Sequence, residues 1–149
     1  MRRYFLPLLL FVLATLAFIR CNSLESTLDS REKSLIILNL LQPYLEIFVG
    51  PGNVTQHLVR KIAHFCEFFV LGCGVALLRR RRGWQPVLNC LSVGLAATVV
   101  DESLQLLSQR GAQVQDILLD FVGFSCGLGL VLAVTALFGR PRRPADRND

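Results

Sequence analysis

The twenty-two residues from Ile117 to Phe138, ILLDFVGFSCGLGLVLAVTALF, carry one charge, at Asp120, and apart from Ser125 and Thr135 only apolar or small side chains. At 1.5 Å rise per residue such a helix is about 33 Å long, enough to cross the roughly 30 Å hydrocarbon layer of a bilayer. This stretch therefore reads as a membrane span, and the rest of the chain agrees with it. The 149 residues are 52% hydrophobic and 18% charged, with a mean hydropathy of +0.48. Such apolar content excludes a disordered chain, and five cysteines without a CxxC pair exclude a disulfide-stapled secreted fold. Cys66, Cys73, Cys90 and Cys126 fall inside apolar runs, where reduced, buried thiols are expected.

Three more stretches have the length of a span: Tyr4 to Ile19, Ile62 to Leu78 and Val87 to Leu107. The first follows Arg2 and Arg3, as a signal peptide does. No small-x-small site ends it and Arg20 precedes Cys21, so residues 1–20 are expected to stay as an anchor. A fifth stretch, Leu35 to Val49, is short and holds Asn39, Gln42, Pro43 and Glu46; it is expected to lie on the outer surface as an amphipathic segment broken near Pro43. Within the outer loop, residues 21–60, the polar start from Asn22 to Lys33 reads as a surface loop, and Asn53-Val54-Thr55 matches a glycosylation sequon. The tail, residues 139–149, reads as disordered.

Arginine placement orients the spans. Arg2-Arg3, Arg79 to Arg82 and the tail arginines fall on one side if there are four spans, as the preference of basic residues for the cytoplasm requires. That side then carries a formal charge of +8 and the other −3, which together make the net +5. The expected fold is thus an all-α integral membrane protein with four transmembrane helices and both termini in the cytoplasm. The same clustering at span ends argues against nucleic acid as the partner of the basic residues.

The remaining charges are grouped. An ionisable side chain at the centre of a membrane helix costs on the order of 2.5–3.5 kcal/mol, so such residues mark a site or a packing network. The second span opens with Arg60, Lys61, His64 and Glu67, the third closes with Asp101, Glu102 and Gln105, and the fourth opens after Arg110 with Asp116 and Asp120. In a four-span topology all three sets lie at the outer ends of their helices. Lys61, His64 and Glu67 recur every three residues, while Asp101 with Gln105 and Asp116 with Asp120 recur every four, so each set shares a helix face. Gly123 and Gly127 continue the Asp116/Asp120 face as a small-xxx-small surface for close helix packing. Arg60 and Lys61 are also placed to snorkel toward headgroups, and Glu102, about 100° round the helix from Asp101, suits a structural salt bridge as well as a site. The carboxylates outnumber the basic residues by two; a protonated carboxyl, a divalent cation or a cationic ligand group would each offset the excess. No HExxH or paired-histidine spacing is present, so the sequence itself assigns no metal ligands and no cofactor.

These residues resemble the signatures of VanZ-like membrane proteins. Arg60-Lys61-Ile62-Ala63-His64-Phe65-Cys66-Glu67-Phe68 with Leu71-Gly72 is similar to the first signature. Asp101-Glu102-Ser103-Leu104-Gln105 followed by Arg110, Asp116, Asp120, Gly123 and Gly127 is similar to the second. Family members often have Pro-Gly before the arginine and His before the Gln, where this chain has Ser108-Gln109 and Leu104. The resemblance covers residues 57 to 130 and implies a VanZ-like three-helix region within 61–138. It also implies a multi-pass protein of the bacterial cytoplasmic membrane, in a group named for low-level resistance to the glycopeptide teicoplanin. It implies no enzyme class.

Three functions fit these readings. In the first, the outer polar pocket formed by Lys61, His64, Glu67, Asp101, Glu102, Gln105, Arg110, Asp116 and Asp120 binds a membrane lipid or a lipid-linked precursor of the cell envelope. Lys61 and Arg110 then meet phosphate and the carboxylates meet amines or sugar hydroxyls. In the second, an intramembrane hydrolase or transferase uses His64, Glu67 or Asp101 in acid-base catalysis, although Ser103, Ser125 and Cys66 stand in no nucleophile motif. In the third, the chain is a non-catalytic subunit docked on a membrane-protein partner or on its own copies through the glycine faces.

Overall fold

A computed structural model describes residues 4–24, 27–50, 54–79, 83–107 and 113–138, without the side chains of 27–34 and 48–49. Arg2, Arg3, Arg80 to Arg82, Asn53, Ser108 to Arg110 and the tail, residues 139–149, lie outside them. The described residues form five helices and no strand: α1 (Phe5–Leu24), α2 (Thr27–Val49), α3 (Gln56–Leu78), α4 (Trp84–Leu107) and α5 (Val114–Phe138). Helices α1, α3, α4 and α5, of 20, 23, 24 and 25 residues, are long and apolar enough to cross a membrane.

Local chemistry sets several helix ends. Thr55 caps α3, its side chain accepting a hydrogen bond from the Leu58 N–H at 3.2 Å. Gly50, with φ +89°, follows the last turn of α2 and donates its N–H to the Glu46 carbonyl, a left-handed C-terminal stop. Gly83, at φ +123°, makes the entry to α4.

Three expectations are corrected. The segment read as a polar loop over 22–33 is helical at its described residues, because α1 runs on to Leu24 and α2 begins at Thr27. Nor does the helix break at Pro43, which lies inside α2. The carbonyl deprived of its partner belongs to Asn39, an exposed residue whose backbone can turn to water or headgroups. The apolar part of α2, Leu35–Ile47, is shorter than a span. The thiols also depart from expectation: all five cysteines are free, but Cys66 and Cys126 are exposed and only Cys90 is buried. A span's apolar surface faces lipid as well as protein, so an apolar run does not imply an interior position.

The four long helices form a ring in which α3 packs on α1 and α5, and α4 packs on α5 and α1, while α3 and α4 meet only slightly across the middle; α2 packs chiefly on α3. The closest pairing is α3 with α5. A Cβ at Gly123 would stand 2.6 Å from the Phe65 carbonyl oxygen, and one at Gly127 would collide with the Phe69 carbonyl oxygen. Gly72 on α3 meets the Phe124 carbonyl in the same way, and Gly94 on α4 lies under the Phe124 ring. Phe68, Leu71, Phe124 and Leu128 fill the seam between the helices. With backbones this close, the polar residues one turn toward the helix ends are brought within bonding distance of each other.

Candidate functional site

The C-terminal ends of α1 and α4 and the N-terminal ends of α3 and α5 meet at one end of the ring, and the polar residues concentrate there. Asp101 on α4, completely buried, is the best-connected of them. Its Oδ1 accepts from Arg20 Nη1 at 3.1 Å and from Ser23 Oγ at 2.7 Å, and its Oδ2 accepts from Gln105 Nε2 at 3.0 Å. Arg20 also donates through Nη2 to the Ala97 carbonyl at 3.0 Å, which pins α1 against α4. On α3, Glu67 accepts from Asn22 Nδ2 at 2.9 Å through Oε1, and its Oε2 stands 3.8 Å from His64 Nδ1. Asp120 on α5 is 2% exposed, and its Oδ1 accepts no hydrogen bond among the described residues. One ligand-capable atom from each of His64, Asp101 and Asp120 lies within 4.8 Å of the others, so side chains of three helices converge on one point.

The residues at the rim have other partners. Lys61 Nζ pairs with Asp116 Oδ1 at 3.0 Å, joining α3 to α5. Glu102, 4% exposed, accepts at Oε1 from the Gln113 backbone N–H at 2.6 Å, so it ties the end of α4 to the residue that precedes α5. Arg60 is partly buried, and its Nε has no acceptor among the described residues. Arg110 lies outside the described residues. Ser103 is exposed and gives its hydroxyl to the Val99 carbonyl, on the face of α4 away from buried Asp101 and Gln105.

Sequence spacing alone missed Arg20, Asn22 and Ser23. The first span ends at Ile19 by hydropathy, and the three residues beyond it read as loop. Their place is visible only in the structure, where the helix continues: Ile19 and Ser23, four apart, are both fully buried and Arg20 lies one turn from Ser23.

The family model for VanZ/LLP1 matches residues 4–137, nearly the whole chain. The chain belongs to the VanZ/LLP1 family. Neither the curated proteins nor the solved structures offer a match to it. The VanZ/LLP1 match takes in α1 and α2 as well as the stretch from 57 to 130, which accords with α1 supplying Arg20, Asn22 and Ser23. Within this VanZ/LLP1 chain, the Arg60 to Phe68 signature is the N-terminal part of α3, and the Asp101 to Gln105 signature is the C-terminal part of α4.

An open cavity of about 440 Å³ adjoins the polar cluster between α1 and α3. Phe11, Ala14, Thr15 and Phe18 line it from α1, and Cys66, Glu67 and Val70 from α3. Phe11 and Phe18 are about 10 Å apart along the helix axis at 1.5 Å per residue. Thr15 spends its hydroxyl on the Phe11 carbonyl, so the groove is apolar except where Glu67 enters it.

Proposed function

We propose that this VanZ/LLP1 protein binds a membrane lipid or a lipid-linked precursor of the cell envelope, with the hydrocarbon chain in the α1/α3 groove and the headgroup against the polar ends of the helices. The observation that carries the reading is the apolar groove with a carboxylate at one point, since that is the shape and polarity of an amphiphile. The chemistry of the headgroup follows from the groups nearby. Glu67 Oε2 accepts no hydrogen bond among the described residues and suits an amine or hydroxyl donor, whereas Arg60 carries a buried N–H without an acceptor and suits phosphate. Lys61, already paired with Asp116, is the weaker candidate for phosphate. The leaflet follows from the arginine clusters, which favour both termini in the cytoplasm and so put the polar end outside.

A phospholipid with a photoreactive group on its acyl chain tests this reading in vesicles containing the full chain. Crosslinks concentrated between Phe11 and Phe18 and between Cys66 and Val70, and reduced in Glu67→Gln, support it. Labelling spread evenly over the lipid-facing residues of all helices contradicts it. A link to teicoplanin would follow if the bound molecule is an envelope precursor: expression should then raise tolerance of the drug, and Glu67→Gln at matched expression should abolish the increase.

A further inference from the structure

We propose that His64, Asp101 and Asp120 bind one divalent transition-metal ion inside the helix ring, an ion of the zinc or manganese class. The three residues come from α3, α4 and α5, and one ligand atom of each lies within 4.8 Å of the others. Ligand atoms round one tetrahedral ion, at bonds of roughly 2.0–2.2 Å, are about 3.3–3.6 Å apart, so closure on a metal asks each side chain to move inward by about 1 Å.

A second observation is independent of that proximity. Asp120 is 2% exposed and its Oδ1 has no hydrogen-bond partner among the described residues. Buried carboxylates without donors are strongly disfavoured, and Asp101, Asp116, Glu102 and Glu67 all lie in electrostatic range of this one. Of the basic residues described here, Arg20 is committed to Asp101 and Lys61 to Asp116. Among the described residues at this end, Arg20, Arg60 and Lys61 face five carboxylates, an excess of two negative charges with His64 neutral. One divalent cation removes that excess.

The supporting contacts are those of a held ligand. Arg20 and Ser23 occupy Asp101 Oδ1, and Gln105 takes one position on Oδ2, which leaves Oδ2 a further lone pair for an ion. Metal-bound imidazoles usually have a carboxylate against the other ring nitrogen, and Glu67 Oε2 stands 3.8 Å from His64 Nδ1. One imidazole with two carboxylates favours a transition metal over magnesium, which prefers oxygen ligands and keeps its waters. Three protein ligands leave coordination positions open for water or a phosphate oxygen, although the site does not depend on lipid recognition.

The experiment titrates zinc and manganese, each alone, into the chelator-treated full chain in detergent. About one equivalent should bind, and Asp120→Asn and His64→Gln should each weaken binding by at least about 10-fold, with Glu46→Gln on α2 unchanged. Pulsed electron paramagnetic resonance of the manganese-loaded wild type needs no variant and should detect nitrogen coupling from one imidazole. The proposal is overturned if wild type shows no saturable binding. It is equally overturned if both folded variants bind as wild type does, if the nitrogen coupling is missing, or if magnesium binds as tightly.

Discussion

Asp120 illustrates how one residue's cost is met by its neighbours. At the centre of a membrane helix a carboxylate opposes insertion by on the order of 2.5–3.5 kcal/mol; Asp120 lies nearer the end of α5, in the closest helix pairing of the ring. The closeness comes from glycine, and it gives two neighbouring positions opposite behaviour. A Cβ at Gly127 meets the Phe69 carbonyl oxygen and the Cys73 N–H, both backbone atoms that cannot swing aside, whereas nothing lies within 4 Å of a Cβ at Gly129. Gly127→Ala should therefore destabilise the fold by about 1–3 kcal/mol, through forced separation of α3 and α5. Gly129→Ala should be neutral or slightly stabilising, since alanine is the better helix former. Thermal unfolding in detergent, followed by fluorescence of Trp84 or by aggregation, compares the two. Equal effects would mean that the α3/α5 seam is looser than described.

Among the elements, α1 is more than an anchor. Arg20 bonds both the Asp101 carboxylate and the Ala97 carbonyl, and Ser23 bonds Asp101, so the last turns of α1 hold α4 and complete the polar cluster. Removing Arg20 leaves a fully buried carboxylate without its cation, a larger loss than removing both charges together. Arg20→Gln and Asp101→Asn should each lower stability, and the double variant should lose less than the sum, with a coupling of about 1 kcal/mol or more. Strict additivity in thermal unfolding would show that the pair does not act as one unit. The same helix shows what a sequence reveals and what it hides. Span length and the spacing of Lys61, His64 and Glu67 are local properties, and they were legible. The four long helices stand where hydropathy puts them. Arg20, Asn22 and Ser23 were not legible as site residues because hydropathy falls at Arg20 while the helix continues, held by partners on α3 and α4 that are distant in sequence. Helix α2 was hidden for a related reason: a proline and a polar start argue against a helix locally, and packing on α3 overrides them.

For the whole molecule, antiparallel helices bring four helix ends together at one end of the ring, which the proposed orientation turns to the outside of the cell. In a background without native cysteines, a cysteine at Gln85, exposed at the opposite end of α4, should react with a membrane-impermeant maleimide only after the membrane is opened. Labelling in intact cells would reverse the orientation and move the site to the inner leaflet. The proposed occupant of the groove is an amphiphile between α1 and α3 with its headgroup at Glu67. Native mass spectrometry of the full chain, released from mild detergent, tests it most directly. A wild-type population carrying one lipid of defined mass should survive activation sufficient to strip bulk lipid, and it should be depleted in Glu67→Gln but kept in Glu46→Gln. A bare chain, or the same unselective spread of lipid masses on all three proteins, would contradict it.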